Sequence, residues 1–147
     1  SVPFKPNISK LSERIGVSRN SLIQFIRHLE ELRIIKGLYA DTKGIGILQK
    51  PEKIYLYHPN LQYALANESS NTGTMRESFF INQLGILAPL QYSKDGDFVF
   101  KEFTFEIGEK KKTNKQVKHL ENSFVAADDV EIGHQHKIPL WLFGFLY

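Results

Sequence analysis

The sequence predicts an α+β chain made of two modules. Three observations carry that prediction. Residues 7–39 read as a short helix, a Gly-containing turn and a longer helix. From Leu90 onward the chain alternates in short apolar segments of strand type. Charge divides with the same boundary: Ser1 to Asn60 carries ten Lys/Arg against five Asp/Glu, and Leu61 to Tyr147 carries nine against eleven. A basic first part and an acidic remainder imply modules with different partners.

In the first module, Asn7 is placed to cap a helix with Ile8, Leu11 and Ile15 on one face. Gly16 stands where a helix C-terminus favours positive φ. Ser18 caps the second helix, whose apolar stripe is Leu22, Phe25, Ile26, Leu29 and Leu32. Residues 34–40 and 54–57 then read as two strands around a loop that holds Lys43, Lys50 and Lys53. Helix-turn-helix followed by a hairpin is the winged-helix plan. The boundary falls at residue 60.

In the second module, residues 61–66 form a short helix and Glu68 to Gly73 a polar linker. Thr74 caps a helix from Met75 to about Leu84, with Phe79, Phe80 and Leu84 inward. Strands are predicted at 90–93, 97–101, 103–108 and 124–127, with a helix at about 114–120 and a final apolar segment at 140–146. Helix, three strands, helix, strand specifies an α/β unit with a central sheet.

Composition narrows the function classes. Hydrophobic content of 41% is enough for a core, and 12% aromatic content argues against disorder. No apolar run approaches roughly 20 residues, so no membrane span is predicted. With no cysteine there is no disulfide or thiolate metal site, and a cytoplasmic location is expected. The chain has no P-loop pattern and no Gly-x-Ser-x-Gly elbow.

Two sets of residues carry candidate chemistry. The second helix offers Arg19, Asn20, Gln24 and Arg27, types that reach base edges and phosphates, and Lys43 and Lys50 decorate the wing. Glu30 and Glu31 would repel phosphate. A solvated helix face in a protein-docking module is the competing reading. In the second module Asp97 opens one strand and Glu106 lies in the next. Period-two alternation sets both apart from the Phe98, Phe100, Phe103 and Phe105 face. Two such carboxylates can hold Mg²⁺, with Glu77 as a third. Helix Glu, strand Asp and strand Glu is the order of PD-(D/E)xK nucleases. That chemistry also requires a Lys two residues after the strand Glu. Gly108 occupies that position, and Lys110, Lys111 or Lys112 would have to swing in. A nuclease-like scaffold without catalysis is therefore expected. Asp128, Asp129, Glu131, His134 and His136 read as solvated turn residues in preference to metal ligands.

The segments PFKPNISKLSERIGVSRNSL, DTKGIGILQKPEKIYLYHPNLQYAL, MRESFFINQL, GDFVF, FTFEIG, FVAADDVEIG and KIPLWLFGFLY resemble the C-terminal region of predicted bacterial AAA-type ATPases. The resemblance covers nearly the whole chain. It implies a winged helix followed by a restriction-endonuclease-like α/β domain, with ATP and Mg²⁺ used by an N-terminal ATPase domain outside this chain. It also implies that Glu77, Asp97 and Glu106 fall where nuclease-like folds keep their acids, and that Gly108 departs from the nuclease Lys.

The expected function is thus a regulatory or DNA-binding C-terminal region of an AAA-type ATPase. Its expected partners are DNA, another protein or its own ATPase domain. One alternative is a metal-dependent nuclease using Glu77, Asp97 and Glu106, with Lys110 as the cation and Mg²⁺ at Asp97 and Glu106. The other is a protein-interaction module. Pro3 and Pro6 argue against a helix before Asn7. The first helix of a winged helix is therefore expected upstream, in a longer parent. Its absence would leave Ile8, Leu11, Leu22 and Ile26 partly uncovered, or covered by a homodimer.

Overall fold

A computed structural model describes residues 3–40, 49–66 and 71–147. The architecture is mixed α+β. Helices α1 (Ile8–Ile15) and α2 (Arg19–Glu31) lead into a hairpin of β1 (Ile35–Leu38) and β2 (Lys53–Leu56). Helices α3 (Pro59–Ala66) and α4 (Thr72–Leu84) follow. Then come β3 (Gln91–Tyr92), β4 (Phe98–Phe100), β5 (Phe103–Gly108), β6 (Ser123–Ala127) and β7 (Lys137–Pro139), closed by a 3-10 helix over Leu140–Phe145. No described helix is long and apolar enough to cross a membrane.

The caps explain where the first helices begin and end. Asn7 Oδ1 accepts the Lys10 amide at 3.0 Å, and Ser18 Oγ accepts the Ser21 amide at 3.0 Å. Gly16 ends α1 at φ 74°, the left-handed region that a Cβ disfavours. The α4 cap differs from the predicted one. Asn71, not Thr74, caps the helix, and Thr74 donates its own amide to Asn71 Oδ1 at 3.2 Å. Thr72 and Gly73, read from the sequence as linker, form the first helical turn. Linker residues 68–70 lie outside the described residues.

The five-stranded sheet has the order β3-β4-β5-β6-β7. Strands β3, β4 and β5 pair antiparallel, and β5, β6 and β7 pair parallel. The predicted helix at 114–120 is absent. That stretch is a chain of turns, with Val117 N–H bonded to Asn114 O at 3.0 Å and Leu120 N–H to Val117 O at 2.9 Å. Val117 is its one fully buried apolar anchor, too little to hold a helix face against the sheet. Strand β7 escaped the sequence reading because it is three residues long and contains Pro139. A proline is tolerated in an edge strand, where its missing donor is not needed.

Two apolar clusters meet at the hairpin. The smaller holds Ile8, Leu22, Ile23, Ile26 and Ile54. The larger holds Leu38 and Tyr55 with Phe80, Phe98, Phe105 and Phe143, among others. Ile54 and Tyr55 are successive strand residues, so they point to opposite faces and enter different clusters. The hairpin also touches the large sheet directly, since Tyr92 N–H donates to Tyr39 O at 2.7 Å.

The expected uncovering of α1 and α2 falls elsewhere. Ile8, Leu22 and Ile26 are buried and Leu11 is half-buried, because Ile54 closes over them. The exposed apolar residues of these helices are Ile15 on α1, Phe25 and Leu29 on α2, and Leu32 just after it, all of which the sequence placed on the inward faces. The α2 stripe is wider than the surface available to cover it. Only the part carrying Leu22, Ile23 and Ile26 meets the hairpin and α1.

Phe80 is fully buried, with its ring centroid 5.4 Å from Phe98, 5.0 Å from Phe105 and 4.8 Å from Phe143. Phe80→Ala should lower unfolding free energy by about 3–5 kcal/mol. Leu32→Gln, at a residue 69% exposed, should change it by no more than about 0.5 kcal/mol. Urea melts of both variants measure the contrast. Equal losses would show that the exposed end of α2 is covered in solution.

Candidate functional site

The antiparallel register of β4 and β5 builds the site. Phe98 pairs with Phe105 and Val99 with Thr104. Asp97 lies just before β4, where its carboxyl group is hydrogen-bonded to that of Glu106 on β5. Asp97 is anchored twice: its amide donates to Phe105 O at 2.9 Å, and its Oδ2 accepts the Ile107 amide at 2.8 Å. Gly96 lets this turn approach the strand, since a Cβ there would lie 2.9 Å from Phe105 O.

Glu106 is 2% exposed. Burial raises its carboxyl pKa to about 7. The hydrogen bond and charge of Asp97 add to that rise, and Lys112 opposes it. Glu106 therefore holds its proton to a higher pH than an ordinary carboxyl group does.

Lys112 completes the cluster. Its Nζ lies 3.3 Å from Glu106 Oε2 and 3.4 Å from Gln116 Oε1. The stem explains the glycine at 108. A Cβ on Gly108 would lie 2.6 Å from both Cβ and Cγ of Lys112. Lys112 therefore occupies the space into which a residue 108 side chain would grow. The lysine that sequence reasoning sought at position 108 arrives from four residues later. Lys110, the residue singled out from the sequence, lies in the following loop, where its backbone carbonyl accepts Lys137 Nζ at 2.8 Å.

Glu77 approaches from α4 but has other partners. Its Oε2 accepts the Tyr55 hydroxyl at 2.7 Å and lies 3.5 Å from Lys53 Nζ. Tyr55 is fully buried, and burial, Glu77 and then Asp97 all push its hydroxyl pKa up. Tyr55 thus stands between Glu77 and the Asp97–Glu106 pair as a neutral donor. It was missed because a strand tyrosine reads only as core. Among the described residues no group of three or more His, Cys, Asp or Glu forms a metal-binding set. The oxygen donors that fit a cation are the Asp97 and Glu106 carboxylates. Mg²⁺ is often held by one or two carboxylates and retained waters, so the donor set suits it.

The polar residues of α2 lie apart from this cluster. Asn20 and Gln24 are exposed. Arg19 Nη1 reaches back to Ser9 Oγ at 3.5 Å. Arg27 lines a hollow with Glu30, Glu31, Tyr39 and Gln49, and its charge acts on the Tyr39 hydroxyl. Glu30 is tied inward, accepting the Gly37 amide at 2.6 Å and the Tyr39 hydroxyl at 2.7 Å. Lys50 is exposed, and Lys43 lies outside the described residues. His134 and His136 are exposed and belong to no metal-binding group among the described residues, with His136 Nδ1 3.1 Å from Ser123 O.

No family profile, curated protein or solved structure matches the chain.

The raised Glu106 pKa has a defined consequence for metal-free protein. Between the ordinary value of 4.5 and about 7, the folded chain keeps a proton that the unfolded chain has released. Stability should therefore fall as pH rises through that window. Glu106→Gln should flatten the slope in urea melts. A slope that persists in the variant would assign the titration to another group.

Proposed function

We propose that this chain is a nucleic-acid-directed region whose second module is restriction-endonuclease-like and hydrolyses phosphodiesters with Mg²⁺ or Mn²⁺. The single observation behind this reading is the convergence of Asp97, Glu106 and Lys112, with Lys112 filling the space over Gly108. The helix α4, the antiparallel β3-β4-β5 and the parallel β6 are consistent with the order of elements that this fold uses, with turns in place of the helix between β5 and β6. The sequence argued against catalysis because position 108 carries no lysine, and the placement of Lys112 removes that premise.

When bound, the cation would polarise the phosphate and lower the pKa of an attacking water. Asp97 and Glu106 would hold it, each as a carboxylate, so Glu106 would have to be deprotonated for binding. Lys112 would balance the negative charge that develops on the phosphoryl oxygens. In the hydrolysis, water oxygen bonds to phosphorus as the ester P–O bond breaks, and the proton that the water gives up passes through solvent to the departing oxygen. Tyr55 and Lys53 fix Glu77 behind the pair, where it adds negative potential without ligating.

A second reading rests on the first module. A helix-turn-helix and hairpin with Asn20 and Gln24 exposed on α2 supports a winged helix that contacts duplex DNA. The two readings are compatible, with one module docking DNA and the other cutting it. The resemblance to AAA-type ATPase C-terminal regions supports a parent protein in which ATP hydrolysis drives such a region.

Cleavage of plasmid and oligonucleotide DNA with Mn²⁺ or Mg²⁺ is the direct test. Asp97→Asn should abolish cleavage, and Lys112→Met should reduce kcat by about 100-fold or more. Lys110→Met should leave it unchanged. Gly108→Lys combined with Lys112→Ala should restore part of the loss, because the two stems compete for one space. No cleavage by wild-type protein, together with no Mn²⁺ binding in calorimetry, would overturn the reading. For the first module, Asn20→Ala with Gln24→Ala should weaken duplex binding in an anisotropy titration, and unchanged affinity would remove α2 as the contact.

A further inference from the structure

Lys112, the partner of Glu106, also lines a cleft to which neither carboxylate contributes. Lys112, Asn114, Val125, His134, Gln135 and Lys137 contribute to the walls of a hollow of about 380 Å³. A second hollow of about 600 Å³ shares Asn114, Gln135 and His136 with it and continues to Lys118 and His119. The two form one path from the Glu106 partner across the β7 edge of the sheet. Among its described lining residues the cations are Lys112, Lys118 and Lys137, and Glu121 is the one acid.

The walls of the path are held in place. His134 and Lys137 close a tight turn with reciprocal backbone hydrogen bonds of 3.0 and 2.9 Å. Gln135 takes φ 52° within it, a left-handed conformation uncommon for a residue with a Cβ. That conformation sets its amide at the junction of the two hollows. His136 is exposed, yet its Nδ1 lies 3.1 Å from Ser123 O, which orients the ring. Lys137 Nζ has one partner, the Lys110 carbonyl, and an ammonium carries three donors. A cationic groove with a fixed aromatic ring and side-chain amides is the combination that grips single-stranded nucleic acid.

We propose that this cleft is the track by which a single nucleic-acid strand reaches the Asp97–Glu106 site. Lys118 and Lys137 contact its phosphates and His136 stacks on a base. The proposal rests on the hydrolytic reading for the purpose of the track, but the binding itself is measured without cleavage.

Anisotropy titration of labelled oligothymidylate, in metal-free buffer at several salt concentrations, tests it. Lys118→Gln with Lys137→Gln should weaken binding about tenfold at low salt and reduce the log–log salt slope by about 1.4, at about 0.7 per single-strand contact. His136→Ala should weaken binding severalfold with little change in that slope. Lys101→Gln, on the β4–β5 turn and outside the lining of both hollows, should match wild type. Lys118→Gln alone, at an exposed residue, guards against a folding defect from the loss of the Lys137–Lys110 bond. Wild-type affinity in the double variant would overturn the track. So would equal affinity for thymidine monophosphate and the oligonucleotide, or a variant effect confined to duplex probes. Strand binding that depends on the cleft, in a protein that never cleaves, would support the track and remove the hydrolytic reading. Cleavage of single strands unaffected by all three cleft substitutions would do the reverse.

Discussion

The pairing of Phe98 with Phe105 is the constraint on which the second module depends. It determines which side chains share each face of the β4–β5 hairpin. One face delivers Phe98, Phe105 and their neighbours to the core around Phe80. The other delivers Asp97 to Glu106. A slip of one residue would place carboxylates in the ring cluster and phenylalanines among the buried polar side chains of the other face, and the first change is strongly unfavourable. The rings that stabilise the sheet therefore also enforce the meeting of the acids.

Such a meeting is unfavourable by itself. Two carboxyl groups held together, one of them nearly inaccessible to water, resist double ionisation. The structure offsets this in three ways. Glu106 holds its proton to a raised pH, the Ile107 amide donates to Asp97, and the Lys112 ammonium stands against Glu106.

The β1–β2 hairpin couples this site to the helices that precede it. Ile54 closes the small core over α1 and α2, while Tyr55 enters the large core and donates to Glu77. Movement of the hairpin would therefore be felt at Glu77. Phe25, Leu29 and Leu32 remain outside both cores, so the first helices carry more apolar surface than the described residues cover.

Local chemistry made much of the fold legible in the sequence. Asn7, Gly16 and Ser18 mark helix ends through hydrogen bonds and φ preferences that act within three or four residues. The alternation from Phe98 to Gly108 specified two strands, and with them the opposition of Asp97 and Glu106. The misassigned elements depend on distant partners. Residues 114–120 have helical composition but follow the sheet as turns, and β7 exists only because β6 lies beside it. Sequence reasoning offered Lys110, Lys111 or Lys112 as the cation and settled on Lys110, because spacing alone does not say which lysine a turn brings back. Only the tertiary structure placed Lys112 over Gly108, through the turn in which the Lys112 amide bonds Glu109 O, and Tyr55 against Glu77, through packing of residues distant in sequence.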